Sequence, residues 1–166
     1  MAVRPVVLLP DACLTKVAVP VAVVDDEAKA LAQDLIDTMR SRTACVGLAA
    51  PQLGVSRRAF VIDVSGHRKA KICHGELVLF DPEIVDVGAP DLAREGCLSV
   101  PDFTGDVPRA ATLTVRGLDL SGSERIVETD AFEARAVLHE IDHLDGLLFL
   151  DRVSSPQAVF QRKVYR

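Results

Sequence analysis

Residues 130–146 read Asp130-Ala131-Phe132-Glu133-Ala134-Arg135-Ala136-Val137-Leu138-His139-Glu140-Ile141-Asp142-His143-Leu144-Asp145-Gly146. Asp130 is placed to cap a helix, Glu133 to complete a capping box and Gly146 to stop it. Between those signals Ala134, Ala136, Val137, Leu138 and Leu144 make a helix apolar enough to be buried, where unpaired His and Glu are costly. His139-Glu140-Ile141-Asp142-His143 matches His-Glu-x-x-His. Residues four apart on an α-helix differ by about 40° around the axis and one turn along it, so both imidazoles reach one ion from one face. Glu140 lies about 100° from His139, off the ligand line yet close enough to take a proton from water activated there. The bland alternative, a solvated face with incidental histidines, fits the apolar neighbours poorly.

Upstream, Asp25 and Asp26 precede Leu31, Leu35, Ile36 and Met39, which predicts an amphipathic helix over about 26–41. Cys45 to Gly54, rich in small residues, reads as a loop entering a strand. Short β-branched runs at 59–63, 77–80, 83–87 and 112–116 read as strands, and 117–123 as a hairpin turn into 125–129. Pro156 is placed to start a short helix in the tail Ser155–Arg166, otherwise a solvated terminus. Helix and strand mix without regular βαβ alternation, so the class is α+β. With no repeat or linker, residues 1–166 are expected to form a single catalytic domain.

The composition excludes several functions. Lys and Arg number 19 against 24 Asp and Glu, a net charge of −5, and only 4% of residues are aromatic, with no Trp. That is neither the positive footprint nor the stacking platform of a nucleic-acid binder. The apolar stretches 6–9 and 17–24 are far shorter than the roughly 20 residues of a membrane helix, so a cytoplasmic protein is expected. Cys13, Cys45, Cys73 and Cys97 contain no Cys-x-x-Cys pair and are expected to be free thiols or ligands.

A catalytic site of the His-Glu-x-x-His type needs a third protein ligand and an open position for water. Phe149 stands where the longer motif ending in a third His would require it, and residues 144–166 contain no Glu, His or Cys. The third ligand therefore lies upstream, with Cys45, Cys73, His74 and Cys97 as candidates, each equally readable as a buried small residue or a surface imidazole. Cys97 is set apart by Glu95-Gly96-Cys97-Leu98-Ser99, where Gly96 permits a bent backbone that presents the thiol and the next N–H toward a cleft.

At these residues the chain resembles the peptide deformylases. Their motifs Gly-x-Gly-x-Ala-Ala-x-Gln, Glu-Gly-Cys-Leu-Ser and Gln-His-Glu-x-Asp-His occur in that order, carried here by Cys45–Gln52, Glu95–Ser99 and Leu138–His143. The resemblance implies small mixed or antiparallel sheets packed around a central helix carrying the His-Glu-x-x-His motif. It implies hydrolysis of the N-formyl group from the formyl-methionine of nascent chains, with Cys97, His139 and His143 as metal ligands and Glu140 as acid/base. By the same resemblance the Gln52 amide and the Leu98 N–H stabilise the carbonyl oxygen. Val46 and Gly47 line the substrate, and Glu95 and Asp142 orient an imidazole unless they serve as ion-pairing groups. The cofactor is one divalent ion, Fe2+ in the active form, with Zn2+, Ni2+ or Co2+ as alternatives. The implied partners are the N-formylated peptide and, transiently, the ribosome. Three positions depart from the pattern: Cys45 replaces a glycine, Leu138 a glutamine, and Asp81 an asparagine before proline. A metallopeptidase, a deformylase for another formylated compound and a non-catalytic metal module are the rival readings.

Overall fold

A computed structural model describes residues 2–163. In chain order the elements are α1 (Asp26–Arg40), β1 (Gly47–Ala49), β2 (Ala59–Ile62), β3 (Leu77–Val87), β4 (Pro90–Cys97), β5 (Val100–Ala110), β6 (Thr112–Leu118), β7 (Glu124–Asp130), α2 (Ala131–Leu144) and β8 (Val159–Gln161). The strands pair antiparallel in two sheets, ordered β1-β2-β3-β6-β7 and β4-β5-β8. The architecture is α+β, and no helix among the described residues is long and apolar enough to cross a membrane.

α1 begins where the sequence signals it, with the Asp25 carboxylate accepting from the Ala28 N–H at 2.9 Å. It covers one face of the larger sheet, Leu31, Leu35, Ile36 and Met39 packing on Val61, Val78 and Phe80. α2 covers the other face, Val137, Leu138, Ile141 and Leu144 packing on Phe60, Ile62, Leu77 and Leu79. Alternation along β2 and β3 thus serves two cores, which is why both strands read as continuous apolar runs. The smaller sheet has its own cluster of Cys97, Val100, Val107, Leu148 and Phe149.

The two runs expected at 77–80 and 83–87 are one strand, β3, broken in register between Phe80 and Glu83. Asp81 sits at the irregularity with φ 49°, a left-handed conformation that Asp and Asn tolerate better than most residues. Its carboxylate accepts from the Val21 and Ala22 N–H groups at 2.7 and 2.8 Å. The sequence gives no strand signal for β4 and β5, which contain Pro90, Pro101, Pro108, Gly96 and Gly105. Gly105 is explained by close packing: a Cβ there would stand 2.7 Å from Val153 and 3.2 Å from the Ala158 carbonyl. In the tail the short helix expected at Pro156 is present, but the solvated terminus expected around it gives way to a strand. Pro156 starts a single 3-10 turn, Pro156–Ala158, which gives way to β8 against Phe103–Gly105. Residues 164–166 of that expectation lie outside the described residues.

Candidate metal centre and active site

The start of α2 is secured by tertiary contacts. Asp130 is its N-cap residue, but its carboxylate accepts from the Ile72 N–H at 3.2 Å and not from α2. Glu133 turns inward, fully buried, and accepts from Thr129 Oγ1 at 2.8 Å and from the His74 N–H at 2.7 Å, with His74 Nδ1 also in contact. The expected capping box is absent because both carboxylates anchor the loop between β2 and β3. The Ala131 N–H finds its acceptor in the Ala111 carbonyl.

Further along α2, Arg135, His139, Asp142 and His143 engage β4 and β5, where Cys97 ends β4 at the tight Leu98-Ser99 turn. Cys97 Sγ lies 3.3 Å from His143 Nε2, and one donor atom from each of Cys97, His139 and His143 lies within 4.8 Å of the others. The imidazoles meet edge to face at 5.0 Å. Of the four upstream candidates, Cys97 alone joins this cluster. The Cys45 thiol donates to the Gly47 carbonyl at 3.2 Å, and burial pushes it up to about 11. Cys73 is exposed, His74 is held by Glu133, and all four cysteines are unpaired.

The donor set fits a divalent transition ion: one sulfur and two imidazole nitrogens, buried together. Glu140 Oε2 and His143 Nδ1 are buried without a hydrogen-bond partner among the described residues. Burial pushes His143 well below its ordinary value, keeping it in the neutral form that ligates metals. At His139 burial also opposes charge, but hydrogen bonds to Cys97 and Glu95 outweigh it and raise the imidazole well above its ordinary value. The pocket therefore draws positive charge to this point.

Glu95 fixes one ring. Its carboxylate meets His139 Nδ1 at 2.8 Å and accepts from Arg109 Nε and Nη2 at 2.9 and 3.0 Å and from Arg135 Nη1 at 2.7 Å. Burial acts to raise this carboxyl, but the bonds from His139 and Arg109 hold it well below the usual carboxylate range. Asp142 reaches no imidazole. It bonds Arg109 Nη1 and, at 3.1 and 3.3 Å, Arg152, so it acts as an ion-pairing group that braces Arg109. Arg109 and Arg135 were not singled out in the sequence. The available signal was Arg135 itself, four residues before His139 and so a lone cation on the histidine face of an apolar helix.

Glu140 is buried, and burial, reinforced by Glu95 and opposed by His139, pushes it up to about 7. A Cβ on Gly47 would stand 2.5 Å from Glu140 Oε1, so the backbone of β1 approaches the carboxylate only as glycine. Gln52 is 2% exposed: its Oε1 accepts from the Ala49 N–H at 3.0 Å, and its Nε2 points to Ser99 Oγ at 3.2 Å and Cys97 Sγ at 3.5 Å. Ser99, also not anticipated, is tied to the N-terminal segment, since the Leu9 N–H donates to its carbonyl and the Val7 N–H to that of Gln52. Leu138 belongs to the apolar core under the larger sheet. A cavity of about 490 Å3 opens here, walled by Val46 and Gly47 at β1, by Gly96, Cys97 and Leu98 at the end of β4, and floored by Glu140.

A sequence profile described as polypeptide deformylase matches residues 3–159. The chain belongs to that family. The peptide deformylase of Desulforudis audaxviator is 44% identical over 164 residues, 98% of this chain and 99% of that protein. The structure is similar to that of peptide deformylase from Ehrlichia chaffeensis in complex with actinonin, with TM-score 0.87 and 34% identity over 95% of this chain and 92% of that one. It is also similar to a Met-Ala-Ser-bound class I type b peptide deformylase from Acinetobacter baumannii, with TM-score 0.84 and 34% identity over 92% of this chain and 100% of that one. Members of this family are metal-dependent hydrolases, and Cys97 and His139 of the Cys/His/His cluster line the cavity just described, with His143 buried behind them.

Proposed function

We propose that this enzyme removes the N-formyl group from the formyl-methionine of nascent chains at the cavity between β1 and β4, acting as a single cytoplasmic catalytic domain. The observation that carries the reading is the convergence of Cys97, His139 and His143 beside a buried carboxylate, Glu140, with one unpartnered oxygen. Cys97 Sγ, His143 Nε2 and the His139 Nε2 left over once Nδ1 has engaged Glu95 would hold one divalent ion, Fe2+ in the active form. That ion supplies Lewis acidity to water and to the formyl carbonyl. The same donor set binds Zn2+ more tightly on ordinary affinity ordering, so aerobic preparations are expected to carry zinc.

Glu140 moves the proton. Buried and raised to about 7, its carboxylate takes a proton at Oε2 from the attacking water and returns it to the departing methionine nitrogen. Gln52 is oriented by the Ala49 N–H, so that Nε2, directed at Ser99 Oγ and Cys97 Sγ, is the end that turns to donate as charge builds on the carbonyl oxygen, with the Leu98 N–H as second donor. β1 and β4 are end strands of their sheets, so a peptide laid along Val46 and Gly47 adds to β1 as a further strand. A cavity of about 490 Å3 beside the end strand β1 favours a peptide over a small formyl amine, and the Acinetobacter relative that holds Met-Ala-Ser supports the same reading. Because nascent chains are presented at the ribosome, contact with it is expected to be transient.

The test is formate release from formyl-Met peptides by anaerobically prepared, Fe2+-loaded protein. Formate without internal cleavage is expected; internal peptide-bond cleavage without formate contradicts the reading.

A further inference from the structure

The chain carries a net charge of −5, yet the rim of its cavity is positive. The two carboxylates in the lining, Glu95 and Glu140, are buried. Arg68 and Lys69 project from the loop between β2 and β3, exposed and without an ion pair among the described residues. Nearby, His67 stacks on Phe132 of α2 at 3.8 Å, and burial together with the Lys69 and Arg68 charges pushes it below its ordinary value. Beside β4, Arg162 is held by its backbone N–H on the Asp102 carbonyl and lays its guanidinium over Gly96. Its Nη2 lies 3.4 Å from the Cys97 carbonyl, its Nε is buried without a partner among the described residues, and a Cβ on Gly96 would meet it at 2.6 Å. Arg94, the remaining exposed cation of the lining, is engaged by Asp106 at 2.6 Å and by the Phe160 ring. Arg162, Arg68 and Lys69 are therefore the cations left to a ligand.

We infer that the mouth selects substrates bearing a carboxylate one or two residues beyond the formyl-methionine, read by Arg162 beside β4 and by Arg68 and Lys69 on the facing loop. The inference deepens the deformylase reading and rests on it. A peptide added along β1 leaves the floor through this rim, so its second and third residues meet the guanidinium, whose fork suits a carboxylate. The carboxylate is either an Asp or Glu side chain or the free terminus of a short peptide.

The test compares kcat/KM for formyl-Met-Asp-Ala-amide with formyl-Met-Asn-Ala-amide, and for formyl-Met-Ala as free acid with its amide. An advantage of about three- to tenfold for the carboxylate member is expected at low salt, shrinking toward unity as salt is raised. An advantage in the first pair assigns the side chain, and one confined to the second assigns the terminus. The ratio should collapse in Arg162→Gln and in the doubly substituted Arg68→Gln/Lys69→Gln, and invert in Arg162→Glu, while Lys29→Gln, on the exposed face of α1, leaves it unchanged. Equal rates within both pairs, or a ratio untouched by the rim variants, overturns the inference. Calorimetric titration of the metal-loaded protein with Met-Asp-Ala-amide and Met-Asn-Ala-amide decides the preference without turnover. Absence of formate from every substrate would then count against the functional reading alone.

Discussion

Toward the five-stranded sheet, α2 offers Val137, Leu138, Ile141 and Leu144, which meet Phe60, Ile62, Leu77 and Leu79; toward β4 and β5 it offers Arg135, His139, Asp142 and His143, which meet Glu95, Cys97 and Arg109. Both faces are buried. The first is held by non-directional packing, which tolerates small changes in shape. The second carries a buried ionic network in which Glu95, Arg109, Arg135 and Asp142 satisfy one another, so removing one strands its partners. The proposed catalytic function falls on the second face because ligand orientation and proton position require that directionality.

The largest effect expected on the polar face is catalytic. Glu140→Gln keeps the shape and the donor set but cannot accept a proton, so kcat/KM for formyl-Met peptides should fall by about 10²–10⁴ with metal content unchanged. Near-normal formate release would remove Glu140 from its role. Next comes the scaffold: Arg109→Met leaves Glu95 and Asp142 as buried, under-paired carboxylates and should cost about 3–5 kcal/mol in urea unfolding. A loss no larger than that of a surface arginine would break the contrast between the faces.

The two carboxylates of this face should respond to pH with opposite signs. In metal-free protein Glu140 is raised to about 7, against about 4.3 unfolded, so between those values the folded state keeps a proton that the unfolded chain has released. This group should therefore lower stability by about 2–4 kcal/mol as pH rises through that window, alongside the separate and mutually opposed contributions of His139 and His143, and Glu140→Gln should remove its share. Glu95, held below the usual range, stabilises fully above about pH 4.3 and loses that contribution as pH drops further. Urea unfolding of wild type and Glu140→Gln at pH 5 and pH 8 reads the first effect, and an identical pH dependence in the two proteins contradicts it. The smallest change belongs to the apolar face: Ile141→Val should cost about 0.5–1.5 kcal/mol and leave metal content intact.

What the sequence disclosed follows the same division. The spacing of His139, Glu140 and His143 is local, so helical geometry alone put them on adjacent lines. α1 carried its own cap and apolar stripe. The β4–β5 hairpin was not legible because its prolines and glycines resemble loop signals; Pro90 is tolerated on the edge strand β4, Pro101 and Pro108 lie outside the Phe103–Gly105 stretch of β5 that pairs with β8, and the tail packs closely on Gly105. Arg109 and Arg135 escaped notice because their carboxylate partners are not local in sequence, lying 14 and 33 residues from Arg109 and 40 from Arg135. The capping box failed for a related reason: Asp130 and Glu133 form the local pattern, but the Ile72 and His74 N–H groups, brought in by the fold, claimed both carboxylates.

The central claim is that the β4 cysteine and the two α2 histidines hold one ion together. Metal analysis of anaerobically purified wild type, Cys97→Ser and Cys73→Ser tests it most directly. The expected result is about one divalent ion per chain in wild type and in Cys73→Ser, with most of it lost from Cys97→Ser while the fold, read by circular dichroism, persists. Full metal retention in folded Cys97→Ser would contradict the account.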